Sequence, residues 1–369
     1  MRRVLVGLNN RSYPIYIGAS LIAQAGALLK KAGLTKRHLL IVSQKQVAVY
    51  YEKPLRESLS REGFESSVFL TPVSKSSEAS KTQQVWTRLI RELAGQDGKN
   101  RALAVVALGG GVIGDLAGFA AAVYRRGIPY VQVPTTLTAQ VDSSIGGKTA
   151  IDLPEGKNLL GTIYQPAMVL ADTTTLTSLP ERHWSDGFAE VIKYGVIKDP
   201  ALFRLLEKKG MEGIRREARV LEGVIARCAE IKAEVVAADE LDRAGIRILL
   251  NFGHTAGHAI EAAAGYSGHY THGEAVGVGM LIACDISGKM GVMKDRDLPV
   301  RIEKILIKFG LPTYTKGLSS DAVLKAMGYD KKSSNRTNRF VLPVQLGRMA
   351  VVGDIPESVI LEGLEKRRR

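Results

Sequence analysis

The sequence has few cysteines and no long apolar run, and both absences narrow what the protein can be. Only Cys228 and Cys284 occur in 369 residues, which excludes a disulfide framework and a cysteine-based zinc site and predicts a reducing compartment. No run reaches the roughly 18 apolar residues of a membrane-spanning helix. The basic start turns polar at Asn9 before any stretch of signal-peptide length. We therefore expect a cytoplasmic protein.

The composition is that of a folded chain with a basic surface. Hydrophobic residues make up 45% and charged residues 24%, and glycine and proline follow no strict period, so disordered and collagen-like classes are excluded. The net charge of +14 is compatible with nucleic acid, acidic lipid or an anionic small molecule as partner. Because acids interrupt the basic clusters and no nucleic-acid-binding motif accompanies them, we expect neither a nucleic acid nor a membrane partner.

Apolar runs alternate with helical stretches in the first half of the chain, whereas the second half is mainly helical in pattern. The predicted strands cover residues 38–43, 102–108, 130–134, 167–171 and, late in the chain, 339–343. The predicted helices cover residues 83–93, 186–197, 201–206, 214–238, 255–264 and 273–290. We therefore predict an α/β N-terminal domain with a Rossmann-like parallel sheet over residues 1–177. A mainly α-helical C-terminal domain follows over residues 178–369.

A glycine-rich turn follows the apolar run at 102–108. Residues 109–114 match G-x-G-x-x-G and precede a helix predicted to begin near Asp115, a context that suits binding of a dinucleotide pyrophosphate. The acid expected about 20 residues further on is replaced by Thr135 and Thr136, so the nucleotide would be held in a variant way. A tight turn needed only for packing is the alternative.

A second glycine segment, residues 145–149, ends in Gly-Gly-Lys-Thr but does not make a phosphate-binding P-loop. The P-loop frame requires glycine where this chain has Asp142. Lys148, Lys157 and Asn158 could instead form a donor cluster for an anionic ligand, or lie on the surface without a ligand.

Four of the six histidines fall within 19 residues, namely His254, His258, His269 and His272. His254 and His258 are spaced as in H-E-x-x-H, but Thr255 stands where a zinc protease has its general base. Two histidines with a carboxylate such as Glu190 would make a catalytic divalent metal site. Scattered structural histidines are the alternative.

Taken in order along the chain, these motifs resemble the 3-dehydroquinate synthase family. The segments that carry the resemblance are residues 11–15, 109–115, 141–149, 156–158, 190–195, 250–255, 272–276 and 330–332. The resemblance implies an NAD-dependent carbon–oxygen lyase of the shikimate pathway. It would convert 3-deoxy-D-arabino-heptulosonate 7-phosphate to 3-dehydroquinate and phosphate by transient oxidation, phosphate elimination, re-reduction and aldol closure. It also implies a homodimer and one zinc or cobalt ion with the ligands Glu190, His254 and His272.

The resemblance also implies the remaining site residues. For catalysis they are Asp142, Lys148, Lys193, Asn251 and His258. For substrate binding they are Lys148, Asn158, Lys193, Lys232, Arg247, Asn251, His258 and Lys332, with Arg126 reaching a neighbouring subunit. For NAD they are Glu78, Lys81, Gly110, Gly111, Val112, Ile113, Gly114, Asp115, Thr135, Thr136, Lys148, Lys157, Thr175 and Ser178. The chain departs from the family pattern at Ser77, at Gln44 and by one extra residue between Lys232 and Arg247.

Two other enzyme classes fit parts of this pattern. Another sugar-phosphate cyclase would share the motifs, but Arg247 and Lys332 favour a substrate that carries a carboxylate. A metal-dependent polyol or alcohol dehydrogenase would share the glycine turn and the metal ligands, and it would accumulate NADH. A nucleic-acid-binding protein would leave the glycine turn and the histidine cluster without a role.

Overall fold

The computed structural model describes residues 1–72, 78–97, 102–328 and 339–369, and the chain forms two compact units. Unit 1 consists of Met1–Leu179 and Leu221–Leu241, and unit 2 consists of Pro180–Val220 and Asp242–Arg369. The second segment of unit 1 lies in the half of the chain for which the sequence predicts a separate helical domain. In the part of the chain described here, no helix has both the length and the apolar character needed to cross a membrane.

The described residues of unit 1 form nine strands. They are β1 (Arg2–Val6), β2 (Tyr13–Gly18), β3 (Arg37–Ser43), β4 (Glu65–Leu70), β5 (Ala102–Gly109), β6 (Tyr130–Pro134), β7 (Lys148–Leu153), β8 (Gly156–Ile163) and β9 (Met168–Asp172). Seven of them form one sheet in the order β1-β2-β9-β6-β5-β3-β4. Only the pair β1–β2 in this sheet is antiparallel, and β7 with β8 forms a separate antiparallel hairpin. The predicted α/β class with a parallel-dominated sheet is confirmed.

Helices cover both faces of this sheet, which explains why the central strands are continuously apolar. The helices are α1 (Ala25–Lys31), α2 (Lys45–Arg61), α3 (Gln83–Asp97) and α4 (Gly111–Val123). Leu29 of α1 and Leu55 of α2 pack in one buried cluster with alternate residues of β3 and β5. Leu89 of α3 and Leu116 of α4 pack in a second cluster with the other residues of the same strands.

The parallel strands bring four loops to one edge of the sheet. β3, β5, β6 and β9 run in the same direction, so the residues that follow their carboxyl ends are neighbours. β4 lies on one side of β3 and β5 on the other, which makes a topological switch point between β3 and β5. Ligands of open α/β sheets bind outside the carboxyl ends of the strands at such a point.

The remaining helices are α5 (Glu181–Ile197), α6 (Pro200–Arg215), α7 (Ala218–Ala238), α8 (His254–Ala263), α9 (His272–Lys289), α10 (Leu298–Lys308), α11 (Ser320–Ala326) and α12 (Glu357–Lys366). Most of α7 belongs to unit 1. Unit 2 contains the other helices with a small hairpin of β10 (Phe340–Gln345) and β11 (Arg348–Val352). The prediction of a mainly helical second half is therefore confirmed.

Helix α9 is the buried centre of unit 2 and packs closely against α8. A Cβ at Gly279 of α9 would lie 2.0 Å from the carbonyl oxygen of Gly253, which directly precedes α8. Gly253 itself has a φ of +79°, a conformation that favours glycine. The two glycines therefore let the start of α8 approach α9 at backbone distance.

Several element boundaries differ from the prediction. α4 begins at Gly111 instead of near Asp115, because Gly110 caps the helix in an extended conformation with φ −76° and ψ −171°. The predicted helix over 214–238 is divided, since α6 continues to Arg215 and α7 begins at Ala218. Glycine disfavours helix interiors, so the sequence signal placed the start of α4 too late.

Candidate active site

The glycine-rich turn in unit 1 joins β5 directly to the first turn of α4. The N–H groups of Ile113 and Gly114 each donate to the carbonyl oxygen of Gly110, at 3.1 Å. The earlier N–H groups, those of Gly111 and Val112, have no intrahelical acceptor at the start of an α-helix. Together with the helix dipole they make this end of α4 suited to an anionic group such as a pyrophosphate.

Two glycines of the turn permit close packing. A Cβ at Gly114 would lie 2.7 Å from Oε1 of Gln132 on β6, and a Cβ at Gly111 would lie 2.8 Å from Oγ of Ser143. The last glycine of the fingerprint has this helix–strand role in dinucleotide-binding folds. The turn therefore has both a packing function and an open helix N-terminus.

The loops after β6 and β9 carry the other residues that the sequence predicted for the nucleotide. Thr135 directly follows β6, and its N–H donates to Gly109 O at 3.0 Å. Thr175 is buried in the 3-10 segment Thr173–Ser178 after β9, and Ser178 is exposed at its end. The buried Gln140 connects the two loops, because its Nε2 donates to Pro134 O at 3.1 Å, Asp172 O at 2.9 Å and Thr175 Oγ1 at 3.2 Å. The sequence analysis missed Gln140, and no motif marks it.

Lys81, Asp115 and Asn158 meet in one polar cluster, in which Lys81 is buried, Asp115 is partly buried and Asn158 is exposed. Lys81 is 3% exposed, and its Nζ lies 2.6 Å from Asp115 Oδ2 and also contacts Asn158 Oδ1. Burial lowers the pKa of Lys81, but the charges of Asp115 and Glu78 and the hydrogen bond to Asp115 raise the pKa overall. The ammonium therefore stays charged and ties the first turn of α4 to β8. Lys157 lies at the edge of this cluster, with Nζ 3.9 Å from Glu78 Oε1.

Asp142 and Lys232 form a second charged pair in unit 1. Asp142 lies in a π-helical turn, Ala139–Ser143, a feature often found at functional sites. Nζ of Lys232, on α7, lies 2.8 Å from Asp142 Oδ1 and donates to Asp142 O at 2.7 Å. Lys148 is exposed at the start of β7, and Arg126 is exposed with a φ of +63°. The structure thus brings Lys232 to Asp142 in spite of the extra residue that follows it in the chain.

The three predicted metal ligands meet in unit 2. Glu190 lies in the middle of α5, whereas His254 and His272 are the first residues of α8 and α9. Oε1 of Glu190 lies 3.4 Å from Nε2 of His254 and 3.3 Å from Nε2 of His272. The ligand atoms of His254, His258 and His272 also lie within 4.8 Å of one another.

This geometry fits a divalent ion held by one carboxylate and two imidazoles. Two atoms bound tetrahedrally to one ion at about 2.0–2.1 Å are about 3.4 Å apart, which matches both distances from Glu190 Oε1. Glu190 is fully buried, and within the described ranges neither of its carboxylate oxygens makes a hydrogen bond of good geometry. A buried carboxylate of this kind needs a positive partner, which the Lys193 ammonium provides at Oε2, while Oε1 faces the two imidazoles. Nitrogen and carboxylate donors in this combination suit zinc or cobalt.

The second nitrogen of each imidazole has its own acceptor. Nδ1 of His254 lies 3.1 Å from the carbonyl oxygen of Phe252, and Nδ1 of His272 lies 3.1 Å from Oε2 of Glu261. Both acceptors suit a proton on Nδ1, and in a neutral ring Nε2 would then be available as a ligand. The sequence analysis missed Glu261, although its position three residues after His258 and seven after His254 places it on the same face of α8.

Charges near the cluster keep Glu190 ionised and two of the histidines neutral. Burial raises the pKa of Glu190, but the Lys193 ammonium and the adjacent imidazoles hold that pKa well below its usual range. Burial, together with the charge of Lys193, lowers the pKa of His254. Burial and the neighbouring imidazoles lower the pKa of His258 to about 4. Burial also opposes charge on His272, yet its contacts with Glu190 and Glu261 raise the pKa well above the usual value.

Among the other predicted anion-binding residues of unit 2, His258 lies beside the two histidine ligands, and Arg247 and Asn251 lie just before α8. Arg247 is 4% exposed at the start of the 3-10 segment Arg247–Asn251, whereas Asn251 and His258 are exposed. Lys332 and the motif at 330–332 lie outside the described residues.

Comparison with protein families decides what kind of protein carries these sites. The family model described as 3-dehydroquinate synthase N-terminal matches residues 71–186, and the model described as 3-dehydroquinate synthase C-terminal matches residues 187–333. The chain belongs to the 3-dehydroquinate synthase family. It is 44% identical to 3-dehydroquinate synthase of Desulforamulus reducens, over 99% of this chain and 100% of the relative. It is also 44% identical to 3-dehydroquinate synthase of Symbiobacterium thermophilum, over 98% of this chain and 99% of the relative. The family assignment made from the motifs is confirmed.

Solved structures of sugar-phosphate cyclases share the fold over almost the whole chain. One is 2-deoxy-scyllo-inosose synthase complexed with carbaglucose-6-phosphate, NAD+ and Co2+, with a TM-score of 0.86, 26% identity and coverage of 99% of this chain and 100% of that chain. Another is 2-epi-5-epi-valiolone synthase from Streptomyces hygroscopicus with NAD+ and Zn2+ bound, with a TM-score of 0.84, 28% identity and 98% coverage of both chains. An iron-containing alcohol dehydrogenase from Thermotoga maritima shares the fold alone, at 16% identity, a TM-score of 0.62 and coverage of 96% of this chain and 97% of that chain.

Proposed function

We propose that the protein is a 3-dehydroquinate synthase that converts 3-deoxy-D-arabino-heptulosonate 7-phosphate to 3-dehydroquinate and phosphate. The observation that carries the proposal is the cluster of the buried Glu190 and His254 with the partly buried His272, in a chain of this family. Its spacing of 3.3 and 3.4 Å around Glu190 Oε1 fits one divalent ion. The open helix N-terminus of unit 1 supports NAD as the second cofactor.

Three side chains would hold the metal ion, whereas a glycine-rich turn and two loops would hold NAD. Glu190, His254 and His272 would hold zinc or cobalt, and the turn Gly110–Asp115 with the loops after β6 and β9 would hold NAD. When bound, NAD accepts and returns a hydride, and the metal ion acts as a Lewis acid toward a substrate hydroxyl. This cofactor pair is the one named for the two cyclase structures that share the fold.

Each unit carries charged side chains that we propose for substrate binding. In unit 1, Nζ of Lys232 lies 2.8 Å from Asp142 Oδ1, and this contact would hold the carboxylate in place to orient a substrate hydroxyl. In unit 2, Lys193 contacts Glu190. His258, whose pKa is lowered to about 4, is neutral near pH 7 and could accept a hydrogen bond from a substrate hydroxyl. The further residues proposed for phosphate and carboxylate are Lys148, Asn158, Arg247, Asn251 and Lys332.

We also propose a cytoplasmic homodimer in which Arg126 reaches the site of the neighbouring subunit. Arg126 is exposed and held in the left-handed conformation between Arg125 and Gly127, whose φ values are also positive. Three consecutive residues with positive φ values fix the direction in which the backbone at Arg126 leaves the end of α4. Sedimentation of the purified protein tests the dimer, and loss of activity without loss of NAD binding in Arg126→Ala tests the role of the arginine.

The decisive experiment measures phosphate and NADH together, with the heptulosonate phosphate in large excess over NAD. A synthase returns the hydride to the same substrate molecule, so many phosphates should be released per NAD with no lasting rise in absorbance at the NADH band. A dehydrogenase would instead form one NADH per substrate and leave the phosphate attached. A cyclase for a substrate without a carboxylate would release phosphate only from a sugar phosphate that lacks this group, which serves as the parallel assay.

A further inference from the structure

His272 is held from both sides in unit 2. Its Nε2 lies 3.3 Å from Glu190 Oε1, in the candidate metal site, and its Nδ1 lies 3.1 Å from Glu261 Oε2. A neutral imidazole has one N–H and one lone pair. Because a carboxylate only accepts hydrogen bonds, the contact with Glu261 requires a proton on Nδ1, and in a neutral ring the lone pair would then be on Nε2, where a bound ion could take it.

The fold fixes the position of Glu261 next to His272. Its side chain is 11% exposed, on α8 two turns after His254 and in contact with the first residue of α9. The carboxylate is thus fixed on one helix and His272 on the next. The close packing of these helices at Gly253 and Gly279 holds the two groups at hydrogen-bond distance.

The two histidine ligands differ in what orients them. His254 uses a backbone carbonyl, that of Phe252, which no substitution removes. His272 uses a side chain and is also the more exposed of the two, at 34% against 11% for the His254 side chain. Its ring would therefore have more freedom to turn away if the carboxylate were absent.

We propose that Glu261 is a positioning residue for the metal site, which fixes the tautomer and ring direction of His272 without itself binding the ion. This inference rests on the metal site of the proposed function. Outer partners of histidine ligands typically change metal affinity by about 10- to 100-fold when they are replaced. A carboxylate partner also makes the imidazole more basic, so that it donates its Nε2 electron pair to a metal ion more strongly.

The test is a cobalt(II) titration of the metal-free full-length protein against a competing chelator, with the visible spectrum of the bound ion as readout. Glu261→Ala should weaken cobalt binding about 10- to 100-fold and alter the spectrum. Glu261→Gln should lie between Glu261→Ala and the wild type, because its amide oxygen still accepts the Nδ1 hydrogen bond but carries no charge. If Glu261→Ala does not fold, Glu261→Gln alone tests the positioning role, and we expect it to bind cobalt at least threefold more weakly than the wild type.

Glu274→Gln is the matched control. Glu274 lies two residues after His272 on α9, where its side chain completes the capping box with Thr271 and pairs with Arg182. Its replacement should lower the thermal stability of unit 2 with little change in cobalt affinity, so it reports the effect of merely loosening the start of α9.

The outcomes separate this inference from the proposed function. Cobalt affinity in both Glu261 variants equal to that of the wild type, or reduced only as far as in Glu274→Gln, would overturn the positioning role while leaving the synthase proposal intact. Weakened cobalt binding in a protein that releases no phosphate from the heptulosonate phosphate would support the role of Glu261 and refute the synthase. A wild type that binds no cobalt would overturn both.

Discussion

Replacing Lys193 with methionine should destabilise the metal-free protein much more than the metal-loaded protein. Lys193 and Glu190 are buried on α5, with side chains 1% and 0% exposed, and the ammonium contacts Glu190 Oε2. Methionine keeps most of the apolar stem but removes the charge, so a carboxylate is left in the interior without its cation. A divalent ion bound to Glu190 would replace the missing positive charge.

The loss of stability has a ceiling, because Glu190 can take up a proton instead of remaining charged. An ordinary glutamate has a pKa of about 4.3, so its protonation at pH 7 costs roughly 3.7 kcal/mol. This agrees with the roughly 3–5 kcal/mol lost when a buried ion pair is broken. At pH 5 the same protonation costs only about 1 kcal/mol.

The pH dependence follows from the direction of the pKa shift. In the wild type the pKa of Glu190 lies well below its usual range. The stability gained from its ionised form is therefore present above about pH 4.3 and is lost as the pH falls through the lower folded-state pKa. The wild-type contribution is therefore constant between pH 5 and pH 7, and the difference in stability between the wild type and Lys193→Met should grow over this range because protonating Glu190 in the variant costs more at the higher pH.

The assay is thermal and denaturant unfolding at both pH values, with excess EDTA or with saturating zinc. For a domain of this size class each kcal/mol shifts Tm by roughly 2–4 °C, so we expect a loss of about 7–15 °C in EDTA at pH 7 and less than half of that with zinc. Lys198→Met, at an exposed position at the end of the same helix, should change stability by at most about 0.5 kcal/mol. Equal losses with and without zinc, or a loss that is as large at pH 5, would refute this account of the site.

Three further predictions test other parts of the molecule. Gly111→Val should raise the Kd for NAD at least about tenfold with unchanged metal content, because its Cβ would lie 2.8 Å from Ser143 Oγ and would crowd the helix N-terminus; unchanged NAD binding in calorimetry, in a folded variant, would remove the turn from the site. Arg367→Ala should lower the free energy of unfolding by about 3 kcal/mol in urea, since Arg367 and its partner Asp285 are 6% and 7% exposed, whereas the 62% exposed Lys366 should cost less than about 1 kcal/mol when replaced by alanine. Removal of the metal by a chelator should stop phosphate release without preventing NAD binding, and a chelated enzyme that still turns over would exclude a role for the ion.

The parts of the fold that the sequence predicted correctly are those where burial is continuous. β5 is buried at every residue from Leu103 to Gly109, so its apolar run is visible without any other information. The hairpin of β7 and β8 was missed because β8 is largely exposed, and its residues carry polar motifs instead of an apolar pattern. The strand pair β1–β2 was also missed, since β1 alternates exposed and buried residues over only five positions.

The residues of the candidate site also fall into two groups, those that the sequence indicates and those that only the structure reveals. His254, His272 and Glu190 are side chains with metal-binding chemistry in a short cluster or a matching motif, so the sequence contains their signal. Gln140 and Glu261 act through the residues they contact, and a glutamine or glutamate on a helix has no distinguishing pattern in one sequence. Their roles depend on which backbone groups and rings the fold brings to them, and that information appears only in three dimensions.

The packing of α8 against α9 therefore has a chemical consequence as well as a structural one. α8 supplies one candidate ligand, His254, and also the acceptor for the other, since Glu261 meets His272. Two turns of helix separate His254 from Glu261. The contact of Glu261 with His272 and the approach of His254 to the same site therefore both require α9 to lie along α8 over that whole length. Gly279 of α9 permits this approach at its contact with Gly253, where any Cβ would lie 2.0 Å from the carbonyl oxygen. A glycine that carries no ligand chemistry thus helps determine whether His254 and His272 can present Nε2 to the same point.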